Sequence, residues 1–393
     1  MQNFKYYAPT YVAFGKDTQR QVADLIKKYG GTKVLLHYGG QSAIKSGLLP
    51  QVEADLKAAG IEYVALGGVV PNPRVSLVRK GIEICREQGI DFILAVGGGS
   101  VIDSSKAISS GTFFDGDVWD LYLKKAKATK YIPLGCILTI PAAGSEMSDG
   151  SVITNEDGGL KKDYCVDEFR CKFAIMNPEL TYTLPAWQTA CGATDMMMHT
   201  MERYFTTADD MEVTNVLAES ILKVVMQQAP IALKNPTDYN SRAQIMWAGS
   251  LAHNDLTGCG AIGDWATHNL EHELSGMFDV SHGAGLAAVW GSWARYTRHN
   301  NLARFVRFAV NVMGVTQDFH SDENTAEAGI QAMERFFESI GMPTNIHDLI
   351  GREITDAEIE EMADKCSNGG TSTIGGLQVL KKEDMIEVYK MAK

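Results

Sequence analysis

One aspartate and several histidines recur at four-residue spacing in two apolar segments. Asp195 and His199 lie four residues apart in GATDMMMHTMERY, and His268 and His272 repeat that spacing in DWATHNLEHEL. Residues four apart share one face of a helix about one turn apart, so two side chains can hold one ion. His282 follows at the start of another helical run. Carboxylate and imidazole ligands suit iron(II) or zinc, and the pattern therefore predicts a metal site.

Each of these residues also has an interpretation without a metal. A single buried histidine is most often a core residue whose ring nitrogens bond to backbone or water. Asp195 could instead be a carboxylate near a helix N-terminus, which the helix dipole favours. Four imidazoles and a carboxylate in apolar segments would each need a separate partner, whereas one divalent cation satisfies most of them together.

A glycine turn between an apolar strand and a helix predicts phosphate binding. LAVGGGSVIDSSKA runs through Gly97, Gly98 and Gly99. Ser100 is expected to open the helix, with Asp103 three residues later in a capping-box-like position. Glycines let a pyrophosphate approach backbone N–H groups at the positive end of the helix. The last glycine of the G-x-G-x-x-G fingerprint is missing, so a tight turn of purely structural use is the alternative.

A second glycine loop follows another apolar strand, in HYGGQS, at Gly39, Gly40 and Ser42. No acidic residue follows the strand to hold the two hydroxyls of a ribose. An uncharged position tolerates a 2′-phosphate, which favours NADPH slightly over NADH.

The elements that must position these residues differ between the two halves of the chain. Residues 1–182 alternate β-branched runs (KVLLHY, IEYVAL, DFILAV, YIPLGCILTI, KFAIM) with helical stretches. This alternation predicts βαβ units and a mainly parallel sheet, in an α/β dinucleotide-binding domain. In residues 183–393 apolar residues recur at three- and four-residue spacing, which predicts a helical domain, and this domain contains all the candidate metal ligands.

Composition narrows the choice of partners and compartment. The 393 residues carry a net charge of −12, which disfavours binding to nucleic acid or an anionic membrane and favours a small-molecule partner. Seven cysteines without a C-x-x-C pair indicate reduced thiols in a cytoplasmic protein. We find neither a signal peptide nor eighteen uninterrupted apolar residues.

Taken together, these segments resemble the iron-containing, or group III, alcohol dehydrogenases, within the butanol dehydrogenase and broad aldehyde reductase branch. The match runs from PTYVAFGK through VGGGSVID and LTIPAAGSE to LPAWQTACGATDMMMHTMERY and DWATHNLEHELSGMFDVSHGAG. The resemblance implies a Rossmann-like parallel-sheet domain plus an all-helical C-terminal domain, a fold shared with dehydroquinate synthase, with the active site between them. It implies that residues 183–393 are the metal-binding and catalytic domain. It further implies hydride transfer between NAD(P)H and short-chain aldehydes or primary alcohols such as butanal and butanol, and a homodimer.

The resemblance also implies a role for each matching residue. The metal ligands would be Asp195, His199, His268 and His282, with His272 near the ion as a candidate proton donor. Asp103 would be a second catalytic residue and would line the cofactor close to the nicotinamide. The dinucleotide would be lined by Gly39, Gly40, Ser42, Asn72, Gly97, Gly98, Gly99, Ser100, Thr139 and Lys161. For Asn72, Thr139 and Lys161 the alternatives are a turn, a buried strand hydroxyl and a solvated charge.

Other functions remain open from the sequence. A metal- and NAD-dependent lyase of the dehydroquinate synthase type, or a polyol dehydrogenase similar to glycerol dehydrogenase, would share the two-domain plan. Such a lyase needs basic residues for a phosphorylated, carboxylated substrate, and the segments around the ligands offer chiefly Arg203 and His253. A protein that stores a metal or binds nucleotide without catalysis is a further alternative. Asn177 stands where the family usually has an acid, and PAAGSE departs from the family's threonine-rich form.

Overall fold

The computed structural model describes residues 1–393, which divide into two compact units. The N-terminal unit is Ala8–Leu184, and the C-terminal unit combines Met1–Tyr7 with Pro185–Lys393. The sequence predicts a division after residue 182, whereas these units divide after Leu184, and the sequence does not predict that the first seven residues belong to the C-terminal unit. The backbone N–H of Gln2 donates to the carbonyl of Gly260 at 3.1 Å, which helps to fix this segment within the C-terminal unit.

A parallel sheet with helices forms the N-terminal unit. Its strands are β1 (Tyr11–Phe14), β2 (Lys33–Tyr38), β3 (Glu62–Leu66), β4 (Phe92–Gly98), β5 (Leu134–Ile140), β6 (Gly150–Asn155), β7 (Leu160–Cys165) and β8 (Phe173–Met176). Its helices are α1 (Val22–Lys28), α2 (Ser42–Lys45), α3 (Leu48–Ala58), α4 (Val75–Gln88), α5 (Gly99–Thr112) and α6 (Trp119–Tyr122), with 3-10 helices at Thr18–Gln21, Asp167–Phe169 and Pro178–Thr181.

Six of these strands form one sheet in the order β1-β8-β5-β4-β2-β3, and every pair in it is parallel. The predicted parallel sheet is therefore confirmed. The five apolar runs named from the sequence supply β2, β3, β4, β5 and β8. All seven residues of β4 are buried, as expected for a strand covered on both faces. The turn that follows β4 lies at the carboxyl ends of the parallel strands, which is where α/β proteins bind ligands.

The sequence predicts neither the edge strand β1 nor the antiparallel hairpin of β6 and β7. Thr154 pairs with Lys161 in the hairpin. Lys161 is consequently a buried strand residue, 5 % exposed, and its interpretation as a solvated charge in a loop is wrong.

The C-terminal unit is helical, which confirms the predicted change of architecture. Its helices are α7 (Ala186–Tyr204), α8 (Glu212–Lys234), α9 (Tyr239–His253), α10 (Ala266–Phe278), α11 (His282–Thr297), α12 (Leu302–Asn311), α13 (Asp322–Ser339), α14 (Ile346–Ile350), α15 (Asp356–Cys366) and α16 (Lys382–Met391), with 3-10 helices at Leu256–Gly258 and Arg298–Asn301. One core of aliphatic, methionine and aromatic side chains runs through it, including Phe205, Trp290 and Trp293.

Helix α7 is buried from Thr189 to Tyr204 and so lies inside this core. Helix α8 alone is long and apolar enough to span a membrane by length and composition. This is weak evidence, since the core helix of a water-soluble protein passes the same test.

Candidate active site

Three of the predicted metal ligands converge inside the C-terminal unit. Asp195 lies in the middle of α7, His268 near the start of α10, and His282 is the first residue of α11. Asp195 Oδ1 is 3.8 Å from Nε2 of His268 and 3.7 Å from Nε2 of His282. One ligand atom from each residue lies within 4.8 Å of the other two. Three helices thus bring one oxygen and two nitrogens to a common point.

His199, the fourth predicted ligand, lies beside this group. Its Nδ1 is 3.3 Å from Asp195 Oδ1, one helical turn along α7. It does not join the set of atoms that all lie within 4.8 Å of one another. Its ring instead packs against that of His253, with the ring centroids 3.9 Å apart.

Three polar atoms in this cluster are buried without a hydrogen-bond partner in the protein: Asp195 Oδ1, His199 Nδ1 and His268 Nε2. Each such atom costs about 1–3 kcal/mol when it is left unsatisfied. A divalent cation would satisfy them together, and a set of carboxylate oxygen and imidazole nitrogen without thiolate suits Fe²⁺ or Zn²⁺. The residues present therefore fit a divalent cation. The alternative for Asp195, a carboxylate at a helix N-terminus, is wrong because Asp195 lies in the middle of α7.

Two buried glutamates, whose role is not evident from the sequence alone, orient the histidine rings. Glu202 Oε1 accepts from His268 Nδ1 at 2.9 Å and from the His268 backbone N–H at 3.0 Å. Glu271 accepts from His282 Nδ1. A carboxylate on Nδ1 fixes the tautomer and leaves Nε2 to face Asp195. A signal was present for Glu202, since it lies seven residues after Asp195 and so on the same face of α7.

Charges around the cluster favour a bound cation. Burial by itself would lower the pKa of His268, but the carboxylates of Asp195 and Glu202 outweigh it and raise that pKa to about 9. Burial and the neighbouring imidazoles, led by His253, hold the pKa of His199 well below its ordinary value. The two carboxylates therefore make the position of His268 favourable for positive charge.

His272 and Trp265 lie around the cluster. His272 is half-buried, with its ring centroid 5.9 Å from that of His282. Trp265 packs its ring edge-on at 5.4 Å from His268 and 6.1 Å from His199. Its φ of 62° is left-handed, which is unusual for a bulky residue and marks a candidate functional position that the sequence did not reveal.

The two basic residues that a lyase would need are engaged in the protein. The guanidinium of Arg203 donates to the carbonyls of His199 at 2.9 Å and Ala252 at 3.3 Å, and pairs with Asp255 at 3.2 Å. His253 lies against the same guanidinium, with Nδ1 at 3.3 Å. Arg203 therefore ties α7 to Ala252 and Asp255. Its guanidinium is engaged by these partners, which argues against a role in binding a phosphorylated substrate.

In the N-terminal unit the strand β4 passes directly into α5 through the glycine turn. A Cβ on Gly97 would lie 2.4 Å from the side chain of Val101, and one on Gly98 would lie 2.8 Å from Cβ of Ile140. Only glycine lets the strand and helix join this closely. No side chain caps the first turn of α5, so its N–H groups can receive an anion such as a pyrophosphate. The turn therefore fits a dinucleotide.

Asp103 does not form the predicted capping box. The residue before α5 is Gly98, and Gly99 rather than Ser100 opens the helix. The carboxylate of Asp103 accepts from Ser145 Oγ at 2.6 Å and from the backbone N–H of Val152 at 3.0 Å. Burial raises its pKa, although nearby lysines oppose this effect. Both carboxylate oxygens thus have protein partners.

The remaining cofactor candidates lie in the same unit. Gly39 and Gly40 follow β2, and Ser42 begins α2. Asn72 is buried with a φ of 53°, which suits a turn, and Thr139 is half-buried near the end of β5.

Asn177, which departs from the family pattern, is itself engaged in the N-terminal unit. It accepts from the backbone N–H of Glu179 and donates to Gln19, both at 3.0 Å. These bonds give its side chain a structural role.

Comparison with known proteins covers nearly the whole chain. Residues 9–178 match the family model described as iron-containing alcohol dehydrogenase, and residues 189–393 match that of the C-terminal part of the Fe-containing alcohol dehydrogenase family. NADH-dependent butanol dehydrogenase A from Clostridium acetobutylicum is 40 % identical over 99 % of each chain. NADPH-dependent aldehyde reductase YqhD from Escherichia coli is 35 % identical over 100 % of each. The crystal structure of NADH-dependent butanol dehydrogenase A from Thermotoga maritima, 35 % identical, superposes with a TM-score of 0.95 and covers 100 % of this chain and 99 % of its own.

Proposed function

Because the chain belongs to the iron-containing alcohol dehydrogenase family, we propose that it interconverts short-chain aldehydes and primary alcohols such as butanal and butanol. It is an NAD(P)H-dependent alcohol dehydrogenase or aldehyde reductase. In our proposal Asp195, His199, His268 and His282 hold a divalent cation. The convergence of Asp195 Oδ1 with the Nε2 atoms of His268 and His282 carries this assignment.

The reaction needs a hydride donor and an electrophile for the carbonyl oxygen. When bound, the reduced nicotinamide supplies the hydride and the divalent cation acts as a Lewis acid. Asp195 would provide the one negative charge of the donor set and the imidazoles would be neutral ligands, so a divalent cation with its direct ligands would keep one positive charge for a developing alkoxide. Glu202 and Glu271 hold their histidine rings in the orientation that presents Nε2.

His272 is the proposed proton donor. It lies next to His282 without belonging to the group of ligand atoms. Its imidazole would hold a proton at a ring nitrogen and pass it to the product oxygen through water or a ribose hydroxyl. Asp103, Gly39, Gly40, Ser42, Asn72, Gly97, Gly98, Gly99, Ser100, Thr139 and Lys161 are proposed to line the dinucleotide.

The finer assignments are also proposals. We expect NADPH to be accepted at least as well as NADH, because no acid follows β2 to hold the ribose hydroxyls. Fe²⁺ and Zn²⁺ both suit the donor set. The homodimer is proposed from the family resemblance alone. None of the seven cysteines forms a disulfide bond, which supports a cytoplasmic location.

One experiment tests the proposal. The purified protein is loaded with Fe²⁺ or Zn²⁺, its metal content is measured, and oxidation of NADPH and NADH is followed with butanal and a panel of short aldehydes. We expect one ion per chain and turnover that Asp195→Asn abolishes together with the ion. Bound metal without turnover of any aldehyde would instead support a storage protein, and turnover without metal would contradict the ligand assignment.

A further inference from the structure

Lys106 is a charged side chain inside the N-terminal unit, with no exposed surface. Its Nζ donates to the carbonyls of Ser145 at 2.7 Å, Ser148 at 3.1 Å and Gly150 at 2.7 Å. The hydroxyls of Ser145 and Ser148 lie at 2.9 and 3.3 Å from the same nitrogen. Burying an ammonium is costly unless oxygens surround it, and here five oxygens from one short segment do so. Residues 145–150 therefore wrap around a single cation fixed on α5.

Asp103 holds the same segment from the preceding turn of α5. The hydroxyl of Ser145 accepts from Lys106 and donates to Asp103 at 2.6 Å, so it bridges the two charges. Asp103 also accepts from the backbone N–H of Val152 at 3.0 Å, and its own carbonyl accepts from the hydroxyl of Ser151 at 2.8 Å. Asp103 and Lys106, three residues apart on one helix face, thus form a two-charge clamp on residues 145–152.

The clamped segment continues directly from residues that pack on the glycine turn. A Cβ on Gly98 would lie 2.8 Å from Cβ of Ile140, and a Cβ on Gly99 would lie 3.1 Å from Cβ of Ala143. Residues 140–143 are therefore in close contact with the turn at the start of α5. Their position determines how much room an approaching phosphate has at the first N–H groups of α5.

We propose that Lys106 is a positioning residue for the dinucleotide, which it holds in register indirectly by clamping residues 145–150 and so fixing residues 140–143 against the glycine turn. This inference rests on the proposed placement of the cofactor at Gly97–Gly99. If Lys106 only stabilised the fold, its substitution would lower the melting temperature of the N-terminal unit and leave the dinucleotide Kd of the folded protein unchanged. If Lys106 is a positioning residue, its substitution also raises that Kd.

The test compares Lys106→Met with Ser145→Ala, the milder change, which removes only the hydroxyl that bridges Lys106 and Asp103. Lys80→Met, an exposed lysine on α4, is the matched control. For each metal-loaded protein, the Kd of NADH and of NADPH is measured by fluorescence titration without substrate. Hydrogen–deuterium exchange of residues 140–150, the KM for butanal and the kcat at saturating cofactor are measured in parallel.

We expect both variants to raise the Kd by about tenfold or more, because a shift of residues 140–143 changes the room that a phosphate has at the first N–H groups of α5. The fall in kcat at saturating cofactor should be smaller than this change. Exchange of residues 140–150 should rise, while the metal content, the KM for butanal and the Lys80→Met control stay as in the wild type. If Lys106→Met does not fold, the Kd of the Ser145→Ala variant tests the inference instead. A wild-type Kd in the folded variants would overturn the inference. Failure of the wild-type protein to bind either dinucleotide would overturn the proposed cofactor site itself.

Discussion

One carboxylate oxygen of Glu202 accepts two hydrogen bonds from the same residue, His268: one from the ring Nδ1 at 2.9 Å and one from the backbone N–H at 3.0 Å. The second bond satisfies one of the N–H groups that the first turn of α10 leaves without an intrahelical partner. Glu202 therefore ties α7 to the start of α10 and aims the imidazole at the same time. Its burial, 2 % exposed, keeps water from competing for either bond.

Glu202→Gln should weaken metal binding while the fold is kept. The amide has the shape of the carboxylate but no charge, so it polarises the His268 ring less and can present its NH₂ group to Nδ1. We expect the affinity for Zn²⁺ to fall about 10- to 100-fold, as for other residues that hydrogen-bond a metal ligand. Competition with a chromophoric chelator measures the affinity. Glu360→Gln, an exposed change on α15, is the control, and equal affinities of the two variants would contradict the orienting role.

His272→Gln should separate proton transfer from metal binding. We expect the metal content to remain at the wild-type level and kcat to fall by about 10²- to 10⁴-fold, the usual contribution of a positioned acid or base. His268→Gln should instead lose the ion. Metal analysis and steady-state rates with butanal distinguish the two variants, and loss of the ion from His272→Gln would show that the roles of the two histidines are wrongly assigned.

The sequence predicts the parts of this protein whose signals are local. Apolar β-branched runs predict β2, β3, β4, β5 and β8, because a strand covered on both faces needs such residues over its whole length. The four-residue spacing of Asp195 and His199 predicts a shared helix face, and these residues do lie on one face of α7.

What the sequence did not reveal depends on partners that are distant along the chain. β7 reads LKKDYC, and its charged residues hide a strand that becomes evident only through its pairing with β6. Lys106 resembles any solvated helix lysine until residues 145–150 fold over it. Glu271 likewise shows its role only where α11 brings His282 against it.

Alanine substitutions should show that Gly98 is needed for packing, whereas Gly40 is not needed for stability and is available to bind the cofactor. A Cβ on Gly98 meets Ile140 at 2.8 Å, so Gly98→Ala should destabilise the N-terminal unit by about 1–3 kcal/mol through overpacking. Nothing lies within 4 Å of a Cβ on Gly40, so Gly40→Ala should change the free energy of unfolding by no more than about 0.5 kcal/mol. Urea unfolding measures both changes.

The Kd for NADPH, measured on the same two variants, tests whether Gly40 lies in the cofactor site. If the loop after β2 touches the dinucleotide, Gly40→Ala raises the Kd although stability is unchanged. An unchanged Kd would remove Gly40 from the cofactor site. Wild-type stability of Gly98→Ala would contradict the close contact of the glycine turn with Ile140.

A buried histidine in β2 should make the stability of the N-terminal unit depend on pH. His37 has no exposed surface, and its Nδ1 lies 2.8 Å from the carbonyl of Leu66 while its Nε2 lies 2.8 Å from Ser104 Oγ. Burial lowers its pKa from 6.5 to about 4, although the bond to Leu66 opposes this effect. The unfolded chain therefore binds the proton more readily than the folded chain. The stability that neutral His37 provides is fully present above pH 6.5 and is lost as the pH falls towards 4.

His37→Gln removes this titration and tests its size. At pH 7.5 the variant should be less stable than the wild type, because it loses well-placed hydrogen bonds. Between pH 6.5 and 4 the wild type should lose stability relative to the variant by up to about 1.4 kcal/mol per pH unit, the value for one proton. The gap, that is, the free energy of unfolding of the wild type minus that of the variant, should therefore narrow and then change sign. Urea unfolding at pH 7.5, 6 and 5 measures the gap. His320→Gln, an exposed histidine change, should show a constant gap, and a constant gap for His37→Gln as well would mean that His37 is protonated with its ordinary pKa in the folded chain.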